Sequence, residues 1–365
     1  MELIQLGWNA VMQEKFAEFE DQGFIIGRVA TEHSQIYRVY TEQRELLAEL
    51  SGKMRFNASE RADLPAVGDW VAIKEHGDKA LIHAILPRKS KFSRKVAGTV
   101  IEEQIVAANV DYVFIVISLN NDFNLRRMQR YLLLAGESGV TPVIVLSKAD
   151  LCNNAADRTA EVRTIAVGAP IHVISSISNE GLEELAPYLK QGMTVAVLGS
   201  SGVGKSTLIN CLMGKAVQKV NEIRQGDDRG KHTTTHRELL VLPNGGLLID
   251  TPGMRELQLW GTEEGLSAAF KDIELVAAQC FYNDCKHIKE PGCAVKAAMY
   301  NGTLDSDRIQ DYKSMGNELA HLSLKAQKTV KIIETEKGKK GLRRAIDKAK
   351  GKSGAKFRKN LTKKR

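Results

Sequence analysis

The chain of 365 residues has no apolar run approaching the roughly 20 residues needed to cross a bilayer. A membrane-spanning protein is therefore not expected. The opening stretch "MELIQLGWNAVMQEKF" carries acidic residues and lacks a small-residue cleavage pattern, so it does not read as a secretory leader. Cysteines number only five. In a cytoplasmic chain, the expectation here, that count argues against a disulfide scaffold and leaves metal ligation or isolated packing roles. No internal repeat is visible. Hydrophobic residues make up 43% of the chain, enough for packed cores and for two or three domains.

Net positive charge is found at one end only. From Lys325 to Arg365 there are 17 Lys and Arg against three Asp and Glu. The whole chain is +8, so the other 324 residues are net −6. Such a basic tail suits nucleic acid, and its one aromatic residue, Phe357, favours phosphate contact over base stacking.

Between residues 23 and 86 the segments "GFIIGRVA", "SQIYRVYT", "RELLAEL", "GDWVAIK" and "ALIHAIL" alternate apolar and polar residues. Five short strands with turns between them predict a small closed barrel of OB type, with an SH3-like barrel equally allowed by the periodicity. Barrels of this size commonly bind oligonucleotides. The basic stretch "PRKSKFSRKVAG", residues 87–98, lacks apolar periodicity and reads as a linker.

From residue 112 the texture changes. Apolar strands "YVFIVIS", "PVIVLS", "IHVIS", "VAVLG", "ELLVL" and "GLLID" alternate with helical patterns, among them "NLRRMQRYLLLAGESG" and "GLEELAPYLKQG". This predicts a doubly wound parallel sheet, with ligands at the carboxyl ends of its strands.

Within it, "VAVLGSSGVGKSTLIN" matches the phosphate-loop pattern G-x-x-x-x-G-K-[ST]. The loop comprises Gly199, Ser200, Ser201, Gly202, Val203, Gly204, Lys205, Ser206 and Thr207. Its glycines free backbone N–H groups to turn toward phosphate oxygens, and the helix that follows adds a positive end. Lys205 is placed to reach the terminal phosphates, and Ser206 to complete a Mg²⁺ shell.

"SKAD" follows the second strand. Asp150 suits guanine, which offers two adjacent donors, and Lys148 can lie along the purine face. Ser147 stands where GTPases usually carry asparagine. Ser175 and Ser176, at the end of the next strand, can offer backbone N–H groups to the guanine carbonyl. In "LLIDTPGM", Asp250 can hold Mg²⁺ through water and Gly253 can meet the terminal phosphate. A threonine of "GKHTTTH" can ligate the same metal; Thr234 is favoured, with Thr233 and Thr235 open. The position after Gly253, commonly a water-orienting glutamine, is Met254, so His232 or a partner is expected to orient the water.

The order is base-reading motif, serine loop, phosphate loop, threonine segment, then "DTPG". Ordinary GTPases begin with the phosphate loop. The set of parts is the same but circularly permuted, which nearby surface termini permit. Further on, "CFYNDCKHIKEPGC" sets Cys280, Cys285, His287 and Cys293 in a C-x₄-C-x-H-x₅-C array. Four soft ligands in one loop suit a closed, structural Zn²⁺ site. Cys152 and Cys211 lie apart and read as packing residues.

On the barrel, the permuted order, "GSSGVGKST", "KHTTTH", "DTPGMREL" and the cysteine cluster, the sequence resembles the ribosome small-subunit-dependent GTPase A (RsgA) family of bacterial assembly factors, over residues 20 to 325 or so. "SKAD" for Asn-Lys-x-Asp is the main departure. The resemblance implies a cytoplasmic, monomeric GTPase that binds the small ribosomal subunit and its rRNA, acts late in its maturation, and cycles between GTP and GDP. The implied organisation is an N-terminal region with barrel and basic linker (1–98), a permuted GTPase domain (99–262), a small helical zinc-binding domain (263–325) and a basic tail (326–365). An RNA-binding module that uses nucleotide only as a conformational ligand is the alternative.

Overall fold

The computed structural model describes residues 2–77, 79–96, 102–216, 237–250, 266–267, 270–317 and 320. Strands β1 (Ile25–His33), β2 (Ile36–Tyr40), β3 (Glu45–Leu50), β4 (Trp70–His76) and β5 (Lys79–Ile85) coincide with the five predicted segments. They pair in the order β1-β2-β3-β5-β4, and β4 closes back on β1 through Ile25↔Ile73 to Arg28↔Trp70. The β3–β5 pair is parallel. This closed order with one parallel pair is that of an OB barrel. Alternation along β2 and β3 turns Tyr37, Val39, Leu46, Ala48 and Leu50 inward, where they meet Val71, Ile73, Ala80 and Ile82. Helix α1 (Ala10–Glu20), capped by Asn9, folds Met12 and Phe16 beneath the barrel, and Trp8 meets the Trp70 ring at 4.7 Å. A short helix α2 (Gly52–Asn57) follows β3.

The basic segment expected as a linker is partly a strand. β6 (Lys91–Val96) pairs antiparallel with β7 (Glu102–Ala108), and Phe92 is fully buried. Its one large apolar residue is too little for a periodic signal, yet enough to anchor the paired strands β6 and β7.

The second half of the sheet contains β8 (Tyr112–Ser118), β9 (Thr141–Ser147), β10 (Ile171–Val173), β11 (Thr194–Leu198), β12 (Glu238–Val241) and β13 (Leu247–Asp250), in the order β10-β9-β8-β11-β13-β12. The sheet is mixed rather than wholly parallel. β12 runs antiparallel to β13, because residues 242–246 form only a tight turn and a parallel return needs a long crossover. α3 (Leu125–Glu137) matches its predicted helix. "GLEELAPYLKQG" instead forms a 3₁₀ turn, Leu182–Tyr188, since Pro187 lies inside it and removes a helical donor. α4 (Ala155–Ile165), not anticipated from the sequence, buries only Val162 and Ile165, a stripe too thin to show. α5 (Lys205–Met213) follows the phosphate loop.

Barrel and GTPase sheet are one continuous sheet, joined where β1 pairs with β12 at Thr31↔Glu238 and reinforced by the Arg38–Glu238 ion pair. Beneath the junction, Arg28 is 1% exposed. Its guanidinium donates to the carbonyls of Gly68 (3.2 Å), Asn109 (3.2 Å) and Leu6, and to Thr194 Oγ1 (2.9 Å). Burial lowers its pKa to about 10, against the pull of Asp111 and Asp69, so it stays charged at neutral pH.

The C-terminal unit contains α6 (Lys271–Ala277), α7 (Ala294–Tyr300) and a helical run over 306–317. Phe270, Ile273, Val295, Ile309 and Met315 form its small core, and Leu133 of α3 belongs to the same cluster. The Arg308 guanidinium grips the Asp272 carboxylate through two bonds of 2.6 Å.

Candidate functional site

β11 delivers the chain to Gly199, whose φ of 155° brings it so close to β8 that a Cβ would stand 2.5 Å from the Val116 carbonyl. Gly204, at φ 98°, precedes the first turn of α5. Both positions require glycine. The loop therefore wraps onto the start of a nine-residue helix, where orphan N–H groups and the helix dipole favour an anion. Lys205 Nζ donates to the carbonyls of Gly199 (2.7 Å) and Ser200 (2.6 Å), which keeps the ammonium over the loop. Ser206 and Thr207 lie partly exposed on the first turn of α5, Val203 is buried, and Ser201 and Gly202 form the turn itself. Ser200 directs its hydroxyl outward to Asp122 and Arg127.

Lys148, Asp150 and Ser175, the residues expected to read the base, lie close together. Lys148 takes a left-handed conformation, φ 59°, which lets the chain turn from β9 into the 3₁₀ turn bearing Asp150. Ser175 is fully buried and its hydroxyl donates to Asp150 Oδ1 at 2.6 Å, so the carboxylate is oriented by the following strand's end. Ser176 offers its carbonyl to the Cys211 thiol at 3.2 Å, tying the serine loop to α5. Cys211 thus does more than pack, and nothing in its spacing announced this. Ser147, 2% exposed, donates to the Val203 carbonyl at 2.6 Å. That bond joins the end of β9 to the phosphate loop.

Asp250 ends β13 beside Val197 of β11 and is 4% exposed. The predicted His232, Thr234 and Gly253, with Met254, lie outside the described residues.

A second cluster sits in the C-terminal unit. The ligand atoms of Cys280, Cys285, His287 and Cys293 all lie within 4.8 Å of one another. Cys280 Sγ is 3.9 Å from Cys293 Sγ, and His287 Nδ1 is 3.4 Å from Cys293 Sγ and 3.6 Å from Cys280 Sγ. A tetrahedral ion at usual thiolate and imidazole bond lengths sets about 3.8 Å between sulfurs and about 3.6 Å from sulfur to nitrogen. The donor set fits one metal ion. The Glu290 carboxylate accepts N–H bonds from Ile288 (2.8 Å), Lys289 (2.9 Å) and Lys286 (3.3 Å), which brace the ligand loop; its own backbone N–H first, and then these, pull its pKa down to about 2. Cys293 Sγ also accepts from Lys296 N at 3.4 Å, capping α7.

A phosphate loop on β11, an aspartate ending β13, and a carboxylate after β9 define a P-loop GTPase, and its sheet is entered in the middle. The chain matches the family model described as RsgA GTPase over residues 85–260, and one described as 50S ribosome-binding GTPase over 194–335. It is 43% identical to the small ribosomal subunit biogenesis GTPase RsgA of Opitutus terrae, covering 93% of this chain and 96% of that protein. The structure resembles YjeQ from Thermotoga maritima (TM-score 0.62, 32% identity, 81% of this chain and 99% of that one). It also resembles YloQ, a circularly permuted GTPase (TM-score 0.59, 25% identity, 82% and 96%). The chain belongs to the RsgA GTPase family. Among the described residues no helix is long and apolar enough to cross a membrane.

Proposed function

We propose that this chain hydrolyses GTP to GDP and phosphate while bound to the maturing small ribosomal subunit, which stimulates the reaction. The observation that carries the reading is the pair of bonds Ser175–Asp150 and Ser147–Val203, which orient a guanine-reading carboxylate and fasten its strand to the phosphate loop. A relative 43% identical over nearly its whole length is named for the small subunit. The large-subunit wording belongs to a model covering residues 194–335 only, so the small subunit is preferred.

In this reading Lys205 steadies charge on the transferring phosphate, and backbone N–H groups of residues 199–207 bind the phosphates. Ser206 and Thr234 would ligate Mg²⁺ and Asp250 would hold it through water; the ion supplies charge neutralisation across the phosphates. Gly253 meets the terminal phosphate, and His232 orients the attacking water because Met254 cannot. Asp150 and Lys148 read the base, with Ser176 beside it. Cys280, Cys285, His287 and Cys293 hold one structural Zn²⁺, which leaves no open position for chemistry. The barrel, the zinc-binding unit and the basic tail contact rRNA, and the protein works in the cytoplasm as a monomer. Functional units follow the division near residues 98, 262 and 325.

The test is phosphate release from GTP with and without purified small subunits. Slow intrinsic turnover that rises on subunit addition supports the enzyme. Subunit binding that depends on nucleotide with no phosphate released would instead support the RNA-binding module.

A further inference from the structure

The first turn of α3 holds the phosphate loop from outside. Asn124 caps that turn, accepting from the Arg127 N–H at 2.9 Å. The Arg127 guanidinium donates to Asp122 Oδ2 and to Ser200 Oγ, both at 2.8 Å. Ser200 Oγ in turn donates to the same Asp122 oxygen at 3.0 Å. The three groups form a closed triangle with each proton used once. Asp122 is itself placed from the end of β8, where Ser118 donates to Asn120 and Asn120 accepts the Asp122 N–H at 3.1 Å.

The triangle reaches the phosphate site through one residue. The Ser200 hydroxyl faces Asp122 and Arg127, while the Ser200 carbonyl accepts Lys205 Nζ at 2.6 Å. Moving Ser200 therefore moves an acceptor of the lysine. Arg127 and Asp122 lie outside every nucleotide motif in the sequence, and both side chains are 33% exposed, so the pair itself adds little to global stability. Its geometry, one donor and one acceptor meeting at the hydroxyl of one loop residue and bonded to each other, is suited to fixing position.

We propose that Arg127 and Asp122 are positioning residues for GTP hydrolysis, acting through Ser200 on the phosphate loop and Lys205. This rests on the reading of residues 199–207 as the hydrolytic loop. Ground-state binding is spread over loop N–H groups and base contacts, and tolerates a small displacement of one lysine. The transition state, in which charge shifts on the transferring phosphate, does not.

The experiment measures kcat and KM for GTP, GDP affinity and Tm on the full chain and its variants. Arg127→Ala should lower kcat by roughly 10- to 100-fold, the scale of a slight misplacement of a catalytic group. GDP affinity should change by no more than about 2-fold, the scale of an ordinary surface change. Arg127→Lys, which keeps the charge and one donor, should recover part of kcat. In a Ser200→Ala background, Arg127→Ala should add no more than about 2-fold, since coupled groups are not additive. An undiminished loss in that background overturns the proposal. So does a fall in kcat, GDP affinity and Tm together without rescue by lysine, which marks a merely structural contact. If Lys205→Ala leaves wild-type turnover, the loop assignment itself fails, and the Arg127 result is not needed to see it.

Discussion

The Ser147 hydroxyl donates to the Val203 carbonyl at 2.6 Å, and through that bond β9 and the phosphate loop share one fixed geometry. Serine replaces the asparagine usual in GTPases, yet it keeps the tie to the loop. Ser147→Ala would leave a buried carbonyl without its partner, at a cost of about 1–2 kcal/mol. Affinity for GTP and GDP should fall together by roughly 5- to 30-fold. Equilibrium titration with both nucleotides checks this, and unchanged affinity would show that the bond does not organise the site.

Asp150 should discriminate among bases. Asp150→Asn replaces an acceptor pair with an amide that can donate to the extra carbonyl of xanthine, so GTP should bind more weakly and xanthosine triphosphate more tightly. Ser175→Ala should act in the same direction on GTP but less strongly, because it releases the carboxylate's orientation without removing it. Competition binding with GTP, ATP and xanthosine triphosphate reads both, and equal GTP affinity in Asp150→Asn would remove Asp150 from base recognition.

Purified, unchelated protein should carry about one zinc per chain, from one complete set of four ligands. Cys285→Ser should loosen the C-terminal unit to proteolysis, whose small core leans on the cluster, and leave nucleotide binding largely intact. Elemental analysis without bound metal would count against the assignment.

The motifs were legible in the sequence because phosphate and metal chemistry constrain spacing, and the structure places Gly199 and Lys205 on one loop and Cys280, Cys285, His287 and Cys293 in one cluster. The barrel was legible because β2 and β3 alternate strictly. What did not show were features whose signal is long-range. Phe92 gives no period, yet it is buried beneath a hairpin. The antiparallel course of β12 depends on the tight turn after it, and the role of Cys211 depends on Ser176, 35 residues earlier. Arg28 drew no attention in the sequence, yet it is 1% exposed. Its partners at Leu6, Asn109 and Thr194 come from three distant segments.

Arg28 should accordingly be among the most sensitive positions for folding. Replacing it by alanine strands four acceptors and opens space beside Trp70, so a loss of about 3–5 kcal/mol is expected, the upper range for single substitutions that break a buried network. Lysine should rescue little, because one ammonium cannot span acceptors on opposite sides. Thermal melting checks both variants. A loss under about 1 kcal/mol for alanine, no more than an average substitution, would mean that the sheet junction holds without it.

The last prediction concerns communication between the nucleotide site and the C-terminal unit. α3 is fastened at its start to the phosphate loop through Arg127 and Ser200. The neighbouring Arg126 reaches Asp311 of the C-terminal unit at 3.2 Å, and Leu133, two turns on, is fully buried in that unit's core. One rigid helix therefore touches both. The exposed ion pair contributes little by itself, whereas truncating a buried leucine costs about 2–5 kcal/mol. Leu133→Ala should thus loosen the helix from the C-terminal unit while leaving the Ser200 triangle in place. Intrinsic turnover should change little, and stimulation by small subunits should fall. Linkage then requires subunit affinity to lose its preference for GTP over GDP by the same factor that subunits lose in shifting nucleotide affinity. Measuring phosphate release with and without subunits, and subunit affinity in each nucleotide state, tests both sides. Full stimulation in a Leu133→Ala protein whose C-terminal unit is demonstrably loosened would refute the route through α3, and would leave the segment after Asp250 as the path between the two.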